Sequence, residues 1–384
     1  MTRPGAVVLA LLAGAAALAA TSAAPAVDAP QAAWAFAVSG DSRDCGNVVM
    51  PKIAWSIENG PDTPAADFYW HLGDFRRGYA PDCDFVKRSV PGWDCRARPV
   101  DELPPGTVAR YLDGAWDDFV DRQLGAFHKT PVFLAIGNHE LYVPTREDFR
   151  RRFRPWLASN ELHAQRNADA AKGFFGTEGN SWYHFVRKGV DVITLDNADG
   201  FFPPAEISWL TRVLAADAAD DSIRTIVIGM HATLPYSTAR GHAMDASCAG
   251  LCSGQQVYDL LFRAQNLAGP PEKRKKVYVF SSHSHEFAEN VYDTPEHRGQ
   301  VLPGWIVGTA GAQQFHETIR YGYVRAEILP DGTLRAVFRE VGPDSPPAPG
   351  GPEAASLTDF CFRLNRSKAG SDTFKGDCAC GAAR

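Results

Sequence analysis

The sequence has no excess of basic charge and no visible internal repeat. Asp and Glu number 45 against 39 Lys and Arg over 384 residues, which gives a formal net charge of -6. Proteins that bind nucleic acid usually present clustered Lys and Arg. The basic run Lys273–Lys276 directly precedes an apolar segment, which is typical of a solvated turn. We therefore expect no nucleic-acid partner.

The sequence also lacks an obvious membrane span. The N-terminal apolar stretch Ala6–Ala20 is alanine-rich and short of the about 20 residues that a span needs. Arg3 precedes it and small residues such as Ala24 follow it, as in a cleavable signal peptide. No cysteine precedes Cys45, which argues against a lipid anchor. We predict a signal peptide over residues 1–26, an exported protein (secreted or periplasmic) and no stable membrane anchor after cleavage; an uncleaved anchor is the alternative.

Cysteine is present in an even number, which suggests disulfides in an exported chain. The eight cysteines are Cys45, Cys83, Cys95, Cys248, Cys252, Cys361, Cys378 and Cys380. Short spacing favours the pairs Cys83–Cys95 and Cys248–Cys252. The alternative for the last three cysteines is a zinc site, although C-x-C is not the usual spacing of zinc ligands.

Strand-like and helical segments alternate along the chain, which predicts a mixed α/β structure. The strand-like runs are Trp34–Ser39, Phe68–Leu72, Val132–Ile136, Val190–Leu195, Thr225–Gly229, Val277–Phe280 and Trp305–Val307. Helical periodicity appears in Val108–Phe127, Arg146–Leu157 with Thr145 as N-cap, Ala205–Ala216 and Gln255–Leu267. Tyr323–Leu329 and Thr333–Val341 flank a Pro-Asp-Gly turn and predict a hairpin.

Three regions follow the predicted signal peptide. The main domain is expected over residues 33–341. Residues 342–352 are rich in Pro and Gly, as in a linker, and residues 353–384 hold three cysteines. We expect this last region to be a C-terminal extension that disulfides bind to the domain, not an independent domain.

Five of the predicted strands end in polar residues of a restricted kind. These ends are Gly40-Asp41, Gly73-Asp74, Gly137-Asn138-His139, Met230-His231 and His283-Ser284-His285. His283 and His285 are two residues apart and point to the same face of an extended chain. Sites in open α/β sheets gather at the carboxyl ends of strands. Oxygen and imidazole ligands of this mix suit Mn, Fe or Zn, and two ions could be held if one carboxylate bridges them.

The order of these motifs, G-D, G-D, G-N-H-E, H and H-x-H, resembles that of the calcineurin-like metallophosphoesterases, which include the purple acid phosphatases. Its most specific piece is Gly137-Asn138-His139-Glu140, and it runs from about Trp34 to Val341. The resemblance implies an α/β fold of two packed mixed β-sheets flanked by helices, an α/β/β/α sandwich. It also implies that residues 33–341 form a catalytic domain that hydrolyses phosphomonoesters or phosphodiesters.

The resemblance further implies a role for each matching residue. The implied metal ligands are Asp74 as the bridge, Asp41 and His285 on a first ion, and Asn138, His231 and His283 on a second. His139 would not ligate; it would lie beside the leaving group and donate a proton or steady the charge. A metal-activated hydroxide would attack phosphorus in line. The cofactor would be one or two divalent or trivalent ions (Mn, Fe or Zn), and the partner a phosphate-ester small molecule or an exposed phosphate group.

Three positions depart from the family pattern. Ser282 stands where the family usually has Gly, a mild change. Arg43 stands where the first motif usually has a ligating His, and arginine cannot ligate because it stays protonated and has no acceptor. Arg77 stands where the purple acid phosphatases have a Tyr. The first metal could therefore be weakly held, completed by water or absent, and one tight ion could suffice for catalysis.

Arg43 is also a candidate substrate ligand. It lies two residues after Asp41 and shares its face on an extended chain. Arginine binds phosphate through a bidentate fork. We expect Arg43 to clamp the substrate phosphate; the alternative is that it points away and pairs with a nearby acid such as Asp44.

These motifs together predict an exported metal-dependent phosphoesterase. The alternative is a metal- or phosphate-binding protein on the same fold with little or no turnover. Among the other histidines, we expect His71 to pack beside the site. The remaining histidines match no ligand position: His128, His163, His184, His242, His297 and His316.

Overall fold

Two mixed β-sheets lie at the centre of the structure. The computed structural model describes Met1, residues 31–95, 100–142, 145–173, 179–239, 242–315, 318–348 and 350–366, and residues 378 and 380. The strands, in chain order, are β1 (Trp34–Ser39), β2 (Ala66–His71), β3 (Val132–Leu134), β4 (Tyr183–Arg187), β5 (Val190–Thr194), β6 (Thr225–Gly229), β7 (Lys276–Ser281), β8 (Phe287–Glu289), β9 (Gly304–Val307), β10 (Tyr321–Ile328) and β11 (Leu334–Val341).

Each sheet combines parallel and antiparallel pairs. The first sheet has the order β11-β10-β1-β2-β3, with β1, β2 and β3 parallel and β10 and β11 antiparallel to their neighbours. The second has the order β4-β5-β6-β7-β9-β8, in which β5, β6, β7 and β9 are parallel. The parallel strands of each sheet therefore present their carboxyl ends at a common edge, where the polar residues follow.

Helices connect the strands. They are α1 (Gly46–Asn59), α2 (Cys83–Ser89), α3 (Thr107–Arg122), α4 (Arg146–Arg152), α5 (Arg154–Leu157), α6 (Asn160–Ala171), α7 (Pro204–Ala219), α8 (Cys248–Ala264) and α9 (Pro352–Arg363). In α4 the hydroxyl of Thr145 accepts the backbone N–H of Asp148, so the predicted N-cap is confirmed. Helix α8 begins earlier than predicted because Ser247 caps it by accepting the N–H of Gly250.

Aromatic side chains fill the space between the sheets. Phe36 on β1 and Phe280 on β7 approach to 6.1 Å between ring centroids. Gly229 on β6 lies against the indole of Trp70 on β2, and a Cβ at that position would fall 2.3 Å from the ring. Helix α1 packs on the outer face of the first sheet, and α7 and α8 pack on the outer face of the second. The predicted fold class, two packed mixed sheets flanked by helices, is confirmed.

All eight cysteines form disulfides. The predicted pair Cys83–Cys95 is confirmed. The predicted pair Cys248–Cys252 is wrong: these residues lie one turn apart on α8, and the about 5–6 Å between such Cβ atoms exceeds the about 3.8 Å of a disulfide. They pair instead with Cys378 and Cys380 respectively.

The zinc alternative is wrong as well, because the last three cysteines belong to three separate disulfides. Cys45 at the start of α1 pairs with Cys361 on α9 across 316 positions of sequence. Four disulfides are typical of an exported protein. Apart from Met1, the predicted signal peptide lies outside the described residues. Within the part of the chain that the structure describes, no helix combines the length and the apolar character needed to cross a membrane.

Candidate metal centre

The polar strand ends predicted from the sequence meet at one edge of the two sheets. Backbone hydrogen bonds join their loops: the N–H of Asp41 donates to the carbonyl of Gly73 at 3.0 Å, and the N–H of Ser282 donates to the carbonyl of His231 at 2.8 Å. The first bond links the loops after β1 and β2, and the second links the loops after β6 and β7. The side chains that follow these strands are therefore held in a fixed arrangement.

The backbone at this edge is locally strained. Asp41, Asp74 and His283 have φ angles of +59°, +58° and +66°. Such values are uncommon for residues other than glycine, and they cluster at functional sites. Gly73 also has a positive φ, of 91°, and a Cβ there would lie 2.5 Å from the backbone nitrogen of Gly137. The loops after β2 and β3 approach this closely only because glycine stands at both contact points.

One group of potential metal ligands, which we call a donor group because each atom can donate a lone pair to a metal, surrounds His231. Its Nδ1 lies 2.8 Å from the carbonyl oxygen of Leu72, which can only accept, so Nδ1 carries the proton and Nε2 of the neutral ring carries a lone pair. Nε2 lies 3.0 Å from Oδ1 of Asn138 and 3.3 Å from Oδ1 of Asp74. In this tautomer, three atoms that can each offer a lone pair face one another.

His283 adds a further potential metal ligand to this group. One donor atom from each of Asp74, His231 and His283 lies within 4.8 Å of the other two. Oδ2 of Asp74 and Nδ1 of His283 are buried and have no hydrogen-bond partner among the described residues. A transition-metal ion would satisfy all of these atoms, so the residues present fit such an ion. Asp74, Asn138, His231 and His283 are called the second donor group below.

The first donor group comprises Asp41, Asp74 and His285, whose donor atoms also lie within 4.8 Å of one another. Nδ1 of His285 donates to the carbonyl oxygen of Gln313 at 2.9 Å, which leaves the lone pair on Nε2. That lone pair faces Nη2 of Arg43 at 2.8 Å. A guanidinium can only donate, so His285 accepts a hydrogen bond from Arg43.

Arg43 lies between the members of the first donor group. Its Nε is 3.7 Å from Oδ2 of Asp74. Arg43 does not point away from the site as in the alternative, because its Nη2 contacts His285 and its Nε faces Asp74, while Asp44 pairs with Nη2 of Arg77 at 2.8 Å. Although burial opposes the charge, Asp74, Asp44 and Asp41 raise the pKa of Arg43, and its guanidinium stays charged.

His139 lies beside both groups, at the rim of the site. Its backbone N–H donates to Oδ1 of Asp74 at 3.0 Å, and its Nε2 lies 3.7 Å from Oδ2 of the same carboxylate. Burial lowers the pKa of His139 to about 3, against the opposing effect of Asp74. The rings of Tyr79 and Tyr142 lie 5.4 and 5.5 Å from the imidazole and are 53% and 54% exposed. Two partly exposed tyrosine rings therefore lie against the imidazole of His139.

Glu140 supports the site, and sequence reasoning assigned it no role. Its carboxylate accepts the backbone N–H groups of Asp74, Phe75 and Gly137 at 2.9, 2.9 and 2.8 Å. Burial and the Asp74 carboxylate raise the pKa of Glu140, and the three backbone N–H groups oppose this shift by stabilising the charged form. The signal was present in the sequence, since Glu140 closes the quoted G-N-H-E motif and stands three residues after Gly137.

His242 is a second residue near the site that sequence reasoning missed. Its ring centroid lies 4.8 Å from that of His283, and it stacks on Phe315 at 5.0 Å. No local pattern marks it, because a long loop carries it to the site. His71 packs beside the site as expected: it is buried, with the ring of Phe75 edge-on at 5.0 Å.

Comparison with known proteins gives only distant structural similarities. No model of a known protein family matches the chain, and no curated protein sequence matches it. Among solved structures, a purple acid phosphatase from yellow lupin (Lupinus luteus) seeds is similar over 81% of this chain and 52% of its own, with a TM-score of 0.47 and 13% identity. A hypothetical protein from Pyrococcus horikoshii is similar over 80% of this chain and 87% of its own, with a TM-score of 0.30 and 11% identity. The chain thus spans about half the length of the lupin protein.

Proposed function

We propose that this protein is an exported, metal-dependent phosphoesterase. The observation that carries the proposal is the second donor group, in which Nε2 of His231 faces the Oδ1 atoms of Asn138 and Asp74 at 3.0 and 3.3 Å. Neutral imidazole, amide oxygen and carboxylate together suit Mn, Fe or Zn. A bound ion of this kind would polarise a phosphoryl oxygen and lower the pKa of a water molecule that acts as nucleophile.

The chain's own residues account for substrate binding and proton handling. Arg43 binds the phosphate: its side chain is 13% exposed, and its charge lies next to the donor groups. His139 lies beside Asp74 and donates a hydrogen bond from its neutral ring to the leaving oxygen, which steadies the charge that develops there. Tyr79 and Tyr142 lie against His139 and limit its contact with water. The substrate is a phosphate-ester small molecule or an exposed phosphate group.

A second candidate function is binding of metal or phosphate without turnover. The observation that favours it is the bond between Arg43 and His285, which takes up a lone pair that the first metal would need. The two functions differ in product release. Purified, metal-loaded protein should be assayed with chromogenic phosphate monoesters and diesters, and phosphate binding should be measured by calorimetry. Hydrolysis of either ester supports the phosphoesterase, whereas phosphate binding without hydrolysis supports the second function.

A further inference from the structure

We infer that the guanidinium of Arg43 takes the place of a metal ion in the first donor group, so that the centre binds one ion. That ion belongs to the second donor group. The inference rests on the proposed function, since it assumes that the second donor group binds a metal.

The hydrogen bonds of His285 show that neither of its ring nitrogens is free to bind a metal. Its Nδ1 donates to Gln313, so only Nε2 could bind a metal. Nε2 already accepts from Nη2 of Arg43 at 2.8 Å. A metal at this nitrogen would have to break that bond and leave the guanidinium N–H without an acceptor in a buried place.

The two carboxylates of the first donor group also favour a single metal ion. Ser282 and the backbone N–H of His283, the latter at 2.7 Å, both donate to Oδ2 of Asp41, so only its Oδ1, 3.6 Å from Nε2 of His285, has no hydrogen-bond partner. Asp74 already faces Arg43 and the second donor group. The fixed positive charge of Arg43 balances one of these two carboxylates. A second multivalent cation placed beside it would be repelled at short range.

Arg43 has no ready alternative position. Asp44, the acid next to it in sequence, is occupied by Arg77 at 2.8 Å and by the backbone N–H of Gln313 at 3.1 Å. Moving Arg43 towards Asp44 would displace Arg77 or bring two guanidinium groups together. The guanidinium is therefore held inside the first donor group.

This arrangement gives the site a permanent cation. Where a second ion would contact a phosphate oxygen, Arg43 offers N–H donors of fixed charge. The charge on that side of the substrate is then neutralised whatever the metal supply.

Metal stoichiometry tests the inference. The full chain, with its disulfides intact, is stripped with a chelator and reloaded with excess Zn²⁺ or Mn²⁺. After removal of free metal, the bound ions per chain are counted by mass spectrometry, and the binding isotherm is measured by calorimetry. We expect one ion per chain. Arg43→His should bind two. Arg77→His, the matched control, should still bind one.

Two further variants keep the result interpretable should Arg43→His fail to fold. His285→Ala should still bind one ion, because His285 does not ligate it. His231→Ala should bind at least 10-fold more weakly, because His231 does. Two ions in the wild type, reduced to one by His285→Ala, would overturn the inference and leave the proposed function intact. A folded Arg43→His that binds one ion would overturn it too. No ion in the wild type would overturn the proposed function itself.

Discussion

Oδ1 of Asp74 lies 3.3 Å from Nε2 of His231, and its Oδ2 lies 3.7 Å from Nε of Arg43. One carboxylate thus faces the proposed metal ligand with one oxygen and the fixed guanidinium with the other. Against the effect of burial, the positive charge of Arg43 helps to lower the pKa of Asp74, so the group is ionised. The loss of this single charge should therefore disturb both the first and the second donor group.

Asp74→Asn should lose metal and turnover together. A neutral amide cannot supply the negative charge that a multivalent cation needs, and it leaves Arg43 without its acidic neighbour. Metal content and ester hydrolysis should be measured on the same folded sample. The exposed Asp293→Asn is a suitable control and should retain both. An Asp74→Asn protein with full metal content would show that this carboxylate is not a ligand.

His139→Ala should separate metal binding from turnover. His139 lies beside the carboxylate and outside the donor groups, so metal content should stay at the wild-type level. Turnover should fall by roughly 10²-fold or more, as expected for loss of a positioned hydrogen-bond donor to a developing charge. If His139→Ala empties the site, His139 is a ligand and its assignment here is wrong.

Glu140→Gln should weaken metal binding through the backbone. The carboxylate accepts three backbone N–H groups, including that of Asp74, and an amide offers only one oxygen to do so. Residues that orient metal ligands typically change affinity by about 10–100-fold when mutated. A calorimetric titration should show this loss, while the exposed Glu289→Gln should bind metal as the wild type does. Equal metal affinities in the two variants would show that Glu140 does not help to position the metal ligands.

A buried charge cluster away from the site predicts a pH-dependent stability. Nδ1 of His184 lies 2.8 Å from Asp191, and its Nε2 lies 3.0 Å from Asp169. Although burial opposes the charge, these carboxylates raise the pKa of His184 to about 10. A raised histidine pKa stabilises the fold fully below the unfolded value of about 6.5, and this contribution is lost as the pH rises towards 10.

His184→Gln should therefore destabilise the protein most at pH 6, by about 3–5 kcal/mol as for other broken buried pairs, and less at pH 10. Chemical denaturation with intact disulfides at pH 6, 8 and 10 measures the difference. Burial and Asp191 also raise the pKa of Asp217 to about 9, so only the difference from wild type is informative. The exposed His128→Gln should change little at any pH. A penalty for His184→Gln that does not vary with pH would mean that His184 is uncharged in the fold.

The parts of the fold that could be predicted are those with a continuous local signal. Trp34–Ser39 and Thr225–Gly229 match strands β1 and β6 because each is an unbroken apolar run buried on both faces. The sequence does not predict helix α1, because Pro51 interrupts its helical pattern near the middle. The pairing of Cys248 with Cys378 could not be read from spacing, since it depends on how a distant tail folds back onto α8.

The same distinction holds for the candidate site. The donor groups could be assembled from the sequence because Asp41, Asp74 and His231 follow parallel strands, whose ends meet by the rules of α/β sheets. The contact between Arg43 and His285 joins positions 242 residues apart, and no local sequence pattern predicts it. Sequence alone could say that Arg43 does not ligate a metal, but not where its charge would lie.

The central claim is that this chain hydrolyses phosphate esters only with metal bound. The most direct measurement is a titration of chelator-stripped protein with Mn²⁺, Zn²⁺ or Fe, in which bound metal and hydrolysis of a chromogenic phosphate ester are followed in the same samples. We predict no turnover in the stripped protein, and turnover that rises in proportion to bound metal until the site is filled. Undiminished hydrolysis by the stripped protein would contradict the account.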